Sequence, residues 1–335
     1  LVRMVYFDLG PSQPHRLLML FHHLVTDGVS WRIFLEDLQA AYYQLSRGEA
    51  VQLPPKTTSF RHWSHRLCEY AQTPQVRSEL DYWEAIGAQE VLPLPIDCSE
   101  GANSYGSVEL ISIELDQAET QALLRHVPAA HSTEINSVLL AALARTFSGW
   151  TGHRTMLLEL EGHGREEFAE ALDLSRTMGW FTTSFPLLLN LEDTREPAQA
   201  LRSVTQQLRA LPSHGFGYGL LRYLCPDSAV RRRLGRLPQP QVSFNYLGQF
   251  DQLPTPEWFP FRIAAESAGP EQSPTALRST LFDIVGIVTG GELQLRWLYS
   301  RNRHRRETVE ALAAEMLENL RTLTACKPAM EEAAR

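Results

Sequence analysis

Cysteine is scarce in this chain: Cys68, Cys98, Cys225 and Cys326 are the only four in 335 residues, and no two share a CxxC spacing. A disulfide framework or a zinc ribbon needs paired ligands, so reduced, mostly buried thiols in a cytoplasmic setting are expected instead. Long apolar runs are missing as well. None reaches the roughly 18 residues that span a bilayer, and the opening segment, with Arg3 and Asp8, reads as a strand rather than a cleavable leader. There is no cationic excess: 31 Lys+Arg against 39 Asp+Glu leave a net charge of −8. A general nucleic-acid binder needs surplus cations to displace counterions from phosphates, so that class is set aside. No internal repeat, heptad run or low-complexity segment is found.

What is present suits a folded enzyme. Apolar residues make up 44% and charged residues 21%, enough for a sizeable core, and the length fits about two domains. Leu1–Phe7 and Arg16–Phe21 read as a strand pair around the turn-rich Gly10–Pro14. Ser30 is the expected N-cap of a helix carrying Trp31, Phe34, Leu35, Leu38, Ala41, Tyr42 and Leu45 at helical spacing. Further helices are predicted over Ser59–Ala71, Pro74–Ile86, Thr133–Trp150, Pro197–Leu211 and Glu307–Leu323, with Asp116 and Glu119 forming a capping box. Strands are predicted at Val108–Leu115, Met156–Leu160, Phe185–Leu191, Val242–Tyr246, Phe282–Val288 and Leu293–Tyr299, the last two joined at Gly290-Gly291 as a hairpin. The aperiodic stretch Gln89–Tyr105 is the expected linker, dividing residues 1–104 from 105–335. The class is α/β in the mixed, α+β sense, with two lobes.

Five segments stand out for their chemistry. In Phe21-His22-His23-Leu24-Val25-Thr26-Asp27-Gly28, adjacent histidines follow an apolar strand. Neighbouring strand residues point to opposite faces, so one histidine at most can serve a given cavity. An imidazole there suits general acid–base work, and ordinary structural histidines or a metal site with Asp27 are the alternatives. In Leu158-Glu159-Leu160-Glu161-Gly162-His163-Gly164-Arg165, Glu159 and Glu161 share one strand face, and Glu161 sits at the strand exit. It is either a solvated loop charge or, in a dry cavity, a proton carrier near neutral pH. His214–Gly219 reads as a flexible glycine loop without the Lys-Ser/Thr of a phosphate-binding loop. Asn245 and Tyr246 could donate to a developing oxyanion or satisfy the core. Arg231, Arg232, Arg233 and Arg236 read as a solvated helix face, with contact to an acidic partner as the alternative.

HHLVTDGVSW resembles the HHxxxDG motif of the condensation-domain superfamily of nonribosomal peptide synthetases. KTTSFRHW, EGHGREE, DLSRTMGWFTTSFP, GFGYG and VSFNYLGQFD are similar, in order, to segments of its epimerization domains. The resemblance implies two chloramphenicol-acetyltransferase-like lobes, with 1–104 the remnant of the N-terminal lobe plus linker and 105–335 the C-terminal lobe. Because the family's His motif lies far into the domain, it also implies that the N-terminal lobe is incomplete, that the chain is a piece of a longer one beginning at Leu1 without methionine, and that its first strands expose an apolar edge. The implied activity is L-to-D epimerization of an aminoacyl or peptidyl thioester on the phosphopantetheine arm of a peptidyl carrier protein lying upstream in cis. His23 and Glu161 are the implied catalytic pair, in a tunnel between the lobes, with His22, Asp27, Gly28, Asn245 and Tyr246 supporting. Asp27 is expected to hold the motif's turn through an ion pair. No cofactor is bound permanently, since the arm belongs to the carrier, and no nucleic acid, membrane or metal is implied. A condensation domain and a silent carrier-docking fragment are the competing implications.

Overall fold

Apolar strand pairs close where a turn is available, and Gly10 supplies one with φ +77°. In the computed structural model, which describes residues 1–168, 172–191, 194, 196–249, 261–262 and 264–325, β1 (Val2–Phe7) and β2 (Arg16–Phe21) pair antiparallel with Val2 opposite Phe21. All of β1 is exposed, including Met4, Val5, Tyr6 and Phe7. Helix α1 spans Gly28–Ser46. Its N-cap is Asp27 rather than Ser30: the Asp27 carboxylate accepts the Ser30 amide at 2.7 Å, so Ser30 lies inside the first turn with its hydroxyl free for another partner. Helix α2 (Phe60–Tyr70) is capped by Ser59, and the helix predicted over Pro74–Ile86 breaks into α3 (Pro74–Arg77) and α4 (Leu80–Gly87).

The described residues pack into two units. The first gathers Leu1–Arg77, His163–Thr183 and the described part of Leu253–Glu271. Its core is small and aromatic: Trp63, Phe181 and Leu174, flanked by Phe60, Leu67, Phe168 and Leu172. The second gathers Ser78–Gly162, Ser184–Gln252 and Gln272–Arg335, with the same limits of description. Residues 88–103 carry no helix or strand. After them come β3 (Val108–Leu115), α5 (Gln117–Gln121) with the Asp116–Glu119 capping box, α6 (Val127–His131), α7 (Ile135–Thr151) and β4 (Thr155–Gly162). They are followed by β5 (Thr183–Asn190), α8 (Pro197–Arg209), α9 (Phe216–Gly219), α10 (Ser228–Leu234), β6 (Val242–Gln249), β7 (Phe282–Thr289), β8 (Glu292–Ser300) and α11 (Arg306–Ala325).

The six strands form one sheet in the order β3-β8-β7-β6-β4-β5. Antiparallel pairing joins β3, β8 and β7, whereas β7, β6 and β4 run parallel, so the class is mixed α/β with a mixed sheet. The β7–β8 turn is Gly290-Gly291, both with positive φ, as a two-residue hairpin loop requires. Helix α7 is buried along most of its length and packs against α8 and α11, because its apolar residues ring the helix rather than striping it. Phe147 of α7 stacks on Trp297 of β8 with centroids 6.1 Å apart, and both are fully enclosed. The expectation for cysteine holds only in part: Cys225 is buried, Cys98 half-buried and Cys68 exposed, all unbridged. Cys326 lies outside the described residues.

His304 is buried without exposure beside Phe282, at 4.4 Å between centroids, and shares a 3.0 Å hydrogen bond between Nε2 and the Pro95 carbonyl. A carbonyl only accepts, so the single proton of the neutral ring sits on Nε2. Nδ1 has no partner among the described residues, and a second proton would go there. Burial therefore holds His304 below its ordinary value of 6.5, with Arg278 and Arg303 acting the same way and Pro95 and Asp97 opposing. The folded pKa lies below the unfolded one, so this stabilisation is complete above 6.5 and drains as pH falls toward the folded value. In thermal melts, His304→Phe should lose less Tm than the unaltered chain between about pH 7 and about pH 5. Parallel losses would contradict it.

Candidate active site

In the first unit the chain leaves β2 at Phe21 and turns through a 3₁₀ segment, His23–Val25. The histidines stand in that turn, one step beyond the strand. His22 Nδ1 accepts the Leu24 amide at 3.1 Å, which commits one of its ring nitrogens to the backbone. His23 is exposed, and its ring lies 4.8 Å from that of Trp180. The imidazole that is not spent on the turn is thus the second of the pair.

Asp27 is the most heavily engaged carboxylate of this segment. It is 5% exposed and accepts from the Ser30 amide, from the Phe181 amide at 3.3 Å and from the Arg165 guanidinium at 3.1 and 3.2 Å. Arg165 also donates to the carbonyls of Leu174 and Thr177, both at 2.9 Å, and lies over the Phe181 ring at 3.9 Å. Ser30 completes the knot, donating to the Gly179 carbonyl at 2.9 Å and accepting from the Gly179 amide at 3.0 Å. Asp27 is thereby tied into the fold on several sides, and Gly28 opens α1 immediately after it. Arg165, Ser30 and Gly179 carry this arrangement, and of the three the sequence marks Ser30 alone, in the different role of helix cap. The glycines ahead of Arg165 hinted only at a special turn.

In the second unit, alternation along β4 puts Glu159 and Glu161 on one face and Leu160 on the other. The parallel register pairs Glu159 with Ser243 and Leu160 with Phe244. Asn245 follows Ser243 onto the acidic face, and its side-chain amide donates to the Glu161 carboxylate. Tyr246 follows Phe244 to the opposite, apolar face, where its ring meets the space above Gly286 beside Leu295. Burial there raises its phenol above the usual value. The strand therefore brings Asn245 to Glu161 and leaves Tyr246 behind the sheet. Phe250 and Asp251 of VSFNYLGQFD lie outside the described residues. A cavity of about 330 Å³ in this unit, lined by Leu92, Leu94, Thr155, Met156 and Val242 among others, opens where β4 and β6 begin. Glu161 and Asn245 stand further along those strands. Among the described residues no group of three His, Cys, Asp or Glu side chains is placed to hold a metal, and no helix is long and apolar enough to cross a membrane.

The family model described as the condensation domain matches residues 1–332. The chain belongs to that family. A linear gramicidin synthase protein of Brevibacillus parabrevis is 46% identical over 326 residues, 97% of this chain but 4% of that protein. Chondramide synthase cmdD of Chondromyces crocatus is 46% identical over 329 residues, 97% of this chain and 8% of that one. The chain thus spans a small fraction of the length of these synthases. Among solved structures, the epimerization domain from the third module of tyrocidine synthetase B matches with a TM-score of 0.88 at 33% identity, over 96% of this condensation-family chain and 71% of that domain. The X-domain from teicoplanin biosynthesis matches at 0.72 with 20% identity, over 98% of this chain and 73% of that one, which is a likeness of fold alone.

Proposed function

We propose that this condensation-family chain belongs to the catalytic machinery of nonribosomal peptide synthesis as an epimerase. Its substrate is an aminoacyl or peptidyl thioester on the phosphopantetheine arm of a carrier protein, and it interconverts the L and D configurations at the α-carbon. The observation that carries this reading is the likeness to a solved epimerization domain at 33% identity over 96% of the chain. The oriented carboxylate of Glu161 supports it, since Asn245 holds that carboxylate at a strand exit.

The chemistry follows from the thioester, whose carbonyl acidifies the neighbouring C–H. One group takes the α-proton, the electron pair moves into the enolate, and a second group returns a proton from the other side. His23 and Glu161 are proposed as these two groups, one acting as base and the other as acid, with the roles exchanged in the reverse direction. His22 and Asp27 serve by shaping the turn that presents His23, Gly28 by starting α1, and Asn245 by orienting Glu161. Tyr246 supports the strand from the opposite face. The phosphopantetheine arrives with the carrier, so the chain itself needs no resident cofactor, and the carrier is proposed to lie upstream in the parent synthetase. The lobe division at residue 104 is likewise part of this proposal. It differs from the two packing units, whose segments interleave along the chain.

The family's own description favours a second reading, peptide-bond formation between two carrier-bound substrates. One experiment separates them. A single carrier bearing an L-aminoacyl thioester is incubated with the chain in deuterium oxide. Epimerization should give D product and α-deuterium together. No label with one carrier, and joined cargo once a second loaded carrier is added, would replace it with condensation. Loss of both reactions would leave carrier docking alone.

A further inference from the structure

Glu79 is a buried carboxylate that the proposed chemistry does not use. It occupies the N-cap position of α4 but its side chain caps nothing there. Instead it is 7% exposed and accepts from the Ser213 hydroxyl at 2.6 Å and from the Trp83 indole, one turn on, at 3.3 Å. Its Oε2 lies 1.9 Å from where a Cβ on Gly217 would stand, so the carboxylate fills the hole that this glycine leaves.

The segment it holds is under strain. Ser213 (φ 41°, ψ 37°), His214 (φ 50°, ψ 31°) and Gly215 (φ 87°, ψ −9°) are three successive residues in the left-handed region. Among the described residues only one other non-glycine position, Ser132, has positive φ. Such backbone persists only where the surroundings impose it. The strained turn feeds directly into α9, so the expected flexible glycine loop is in fact a helical turn beginning at Phe216. Tyr218 of α9 lies 5.2 Å from the Trp83 ring, tilted by 56°. Burial raises its phenol above the usual value, with Tyr223 and Glu159 adding to the rise and Arg222 opposing it.

We propose that Glu79 is a positioning residue: its carboxylate clasps Ser213, holds the left-handed turn 213–215 closed, and thereby fixes α9 and Tyr218. The consequence for turnover rests on the reading of Glu161 as an acid–base group; the clasp itself does not.

The test compares the unaltered chain with Glu79→Gln and with Glu79→Gln combined with His214→Gly. A glutamine keeps the volume and one carbonyl acceptor but removes the charge, so the charge-assisted clasp on Ser213 is replaced by at most a neutral hydrogen bond. Glycine adopts the left-handed conformation without steric penalty, so His214→Gly should close the turn again without the carboxylate. Amide hydrogen exchange over residues 212–219 should quicken about tenfold in Glu79→Gln and slow again in the double variant, since losing one charged hydrogen bond shifts local opening by that order. With the carrier-bound L-aminoacyl thioester that the unaltered chain converts fastest, kcat should fall and recover in step while KM stays within about twofold. Unchanged exchange in Glu79→Gln overturns the clasp, and so does failure of His214→Gly to restore it, which is what a carboxylate needed only for packing would give. Quickened exchange with unaltered kcat overturns the positioning role. If the unaltered chain converts no thioester, the epimerase reading falls, and the exchange data still decide the clasp.

Discussion

Replacing Asp27 by alanine should lower the stability of the chain by about 3–5 kcal/mol, the range found when one partner of a buried ion pair is removed. The magnitude follows from what would be left behind. Arg165 is 10% exposed at its side chain and Asp27 5%, so the guanidinium would remain in the interior without its counter-charge. The cap of α1 and the acceptor for the Phe181 amide would go at the same time. Arg165→Met should be costly for the mirror reason. The double change, Asp27→Ala with Arg165→Met, should cost less than the sum of the singles, because no uncompensated charge then remains. Urea melts of the four proteins give the cycle directly. Single-variant losses under about 1 kcal/mol, the range of exposed pairs, would mean that water screens the pair and that the turn is held by something else.

The ion pair expected of Asp27 is present, but its partner was not legible in the sequence. Asp27 is marked by its motif, but its partner lies 138 positions away, and no spacing rule reaches that far. The cap of α1 shows a subtler failure. Asp27 and Ser30 are both good N-cap residues three apart, and the choice turned on Ser30 having a better use for its hydroxyl on Gly179. Local patterns did well where a local cause operates: the β7–β8 hairpin follows from Gly290-Gly291, and the shared face of Glu159 and Glu161 from strand alternation. The segment 213–219 went the other way. Its glycines argue for a loop, and Glu79, Trp83 and Phe185 pack it into a helical turn. The contact between Asn245 and Glu161 is of the same kind, since it requires β6 to lie beside β4, and nothing in either strand's own sequence announces that neighbour.

Glu161→Gln and His23→Ala should each reduce net L-to-D conversion of a carrier-bound substrate by about 10²- to 10⁴-fold, the usual range for a lost acid–base group. Glutamine keeps the volume and an acceptor for the Asn245 amide, so Glu161→Gln tests charge and proton transfer rather than packing. The two variants should nevertheless differ in a second measurement. Inversion needs both groups, but exchange with solvent needs only the one that faces the proton present in the substrate. Starting from the L isomer in deuterium oxide, one variant should still wash α-deuterium into unreacted L substrate, because its remaining base removes and returns a proton on a single face. The other variant should do neither. Starting from the D isomer, the pattern should swap. That reciprocal result would assign each residue to its face without any assumption about which acts first. Normal interconversion in both variants would remove the pair from the mechanism. Loss of exchange in both, from both isomers, would point instead to a single shared base whose placement depends on the other residue.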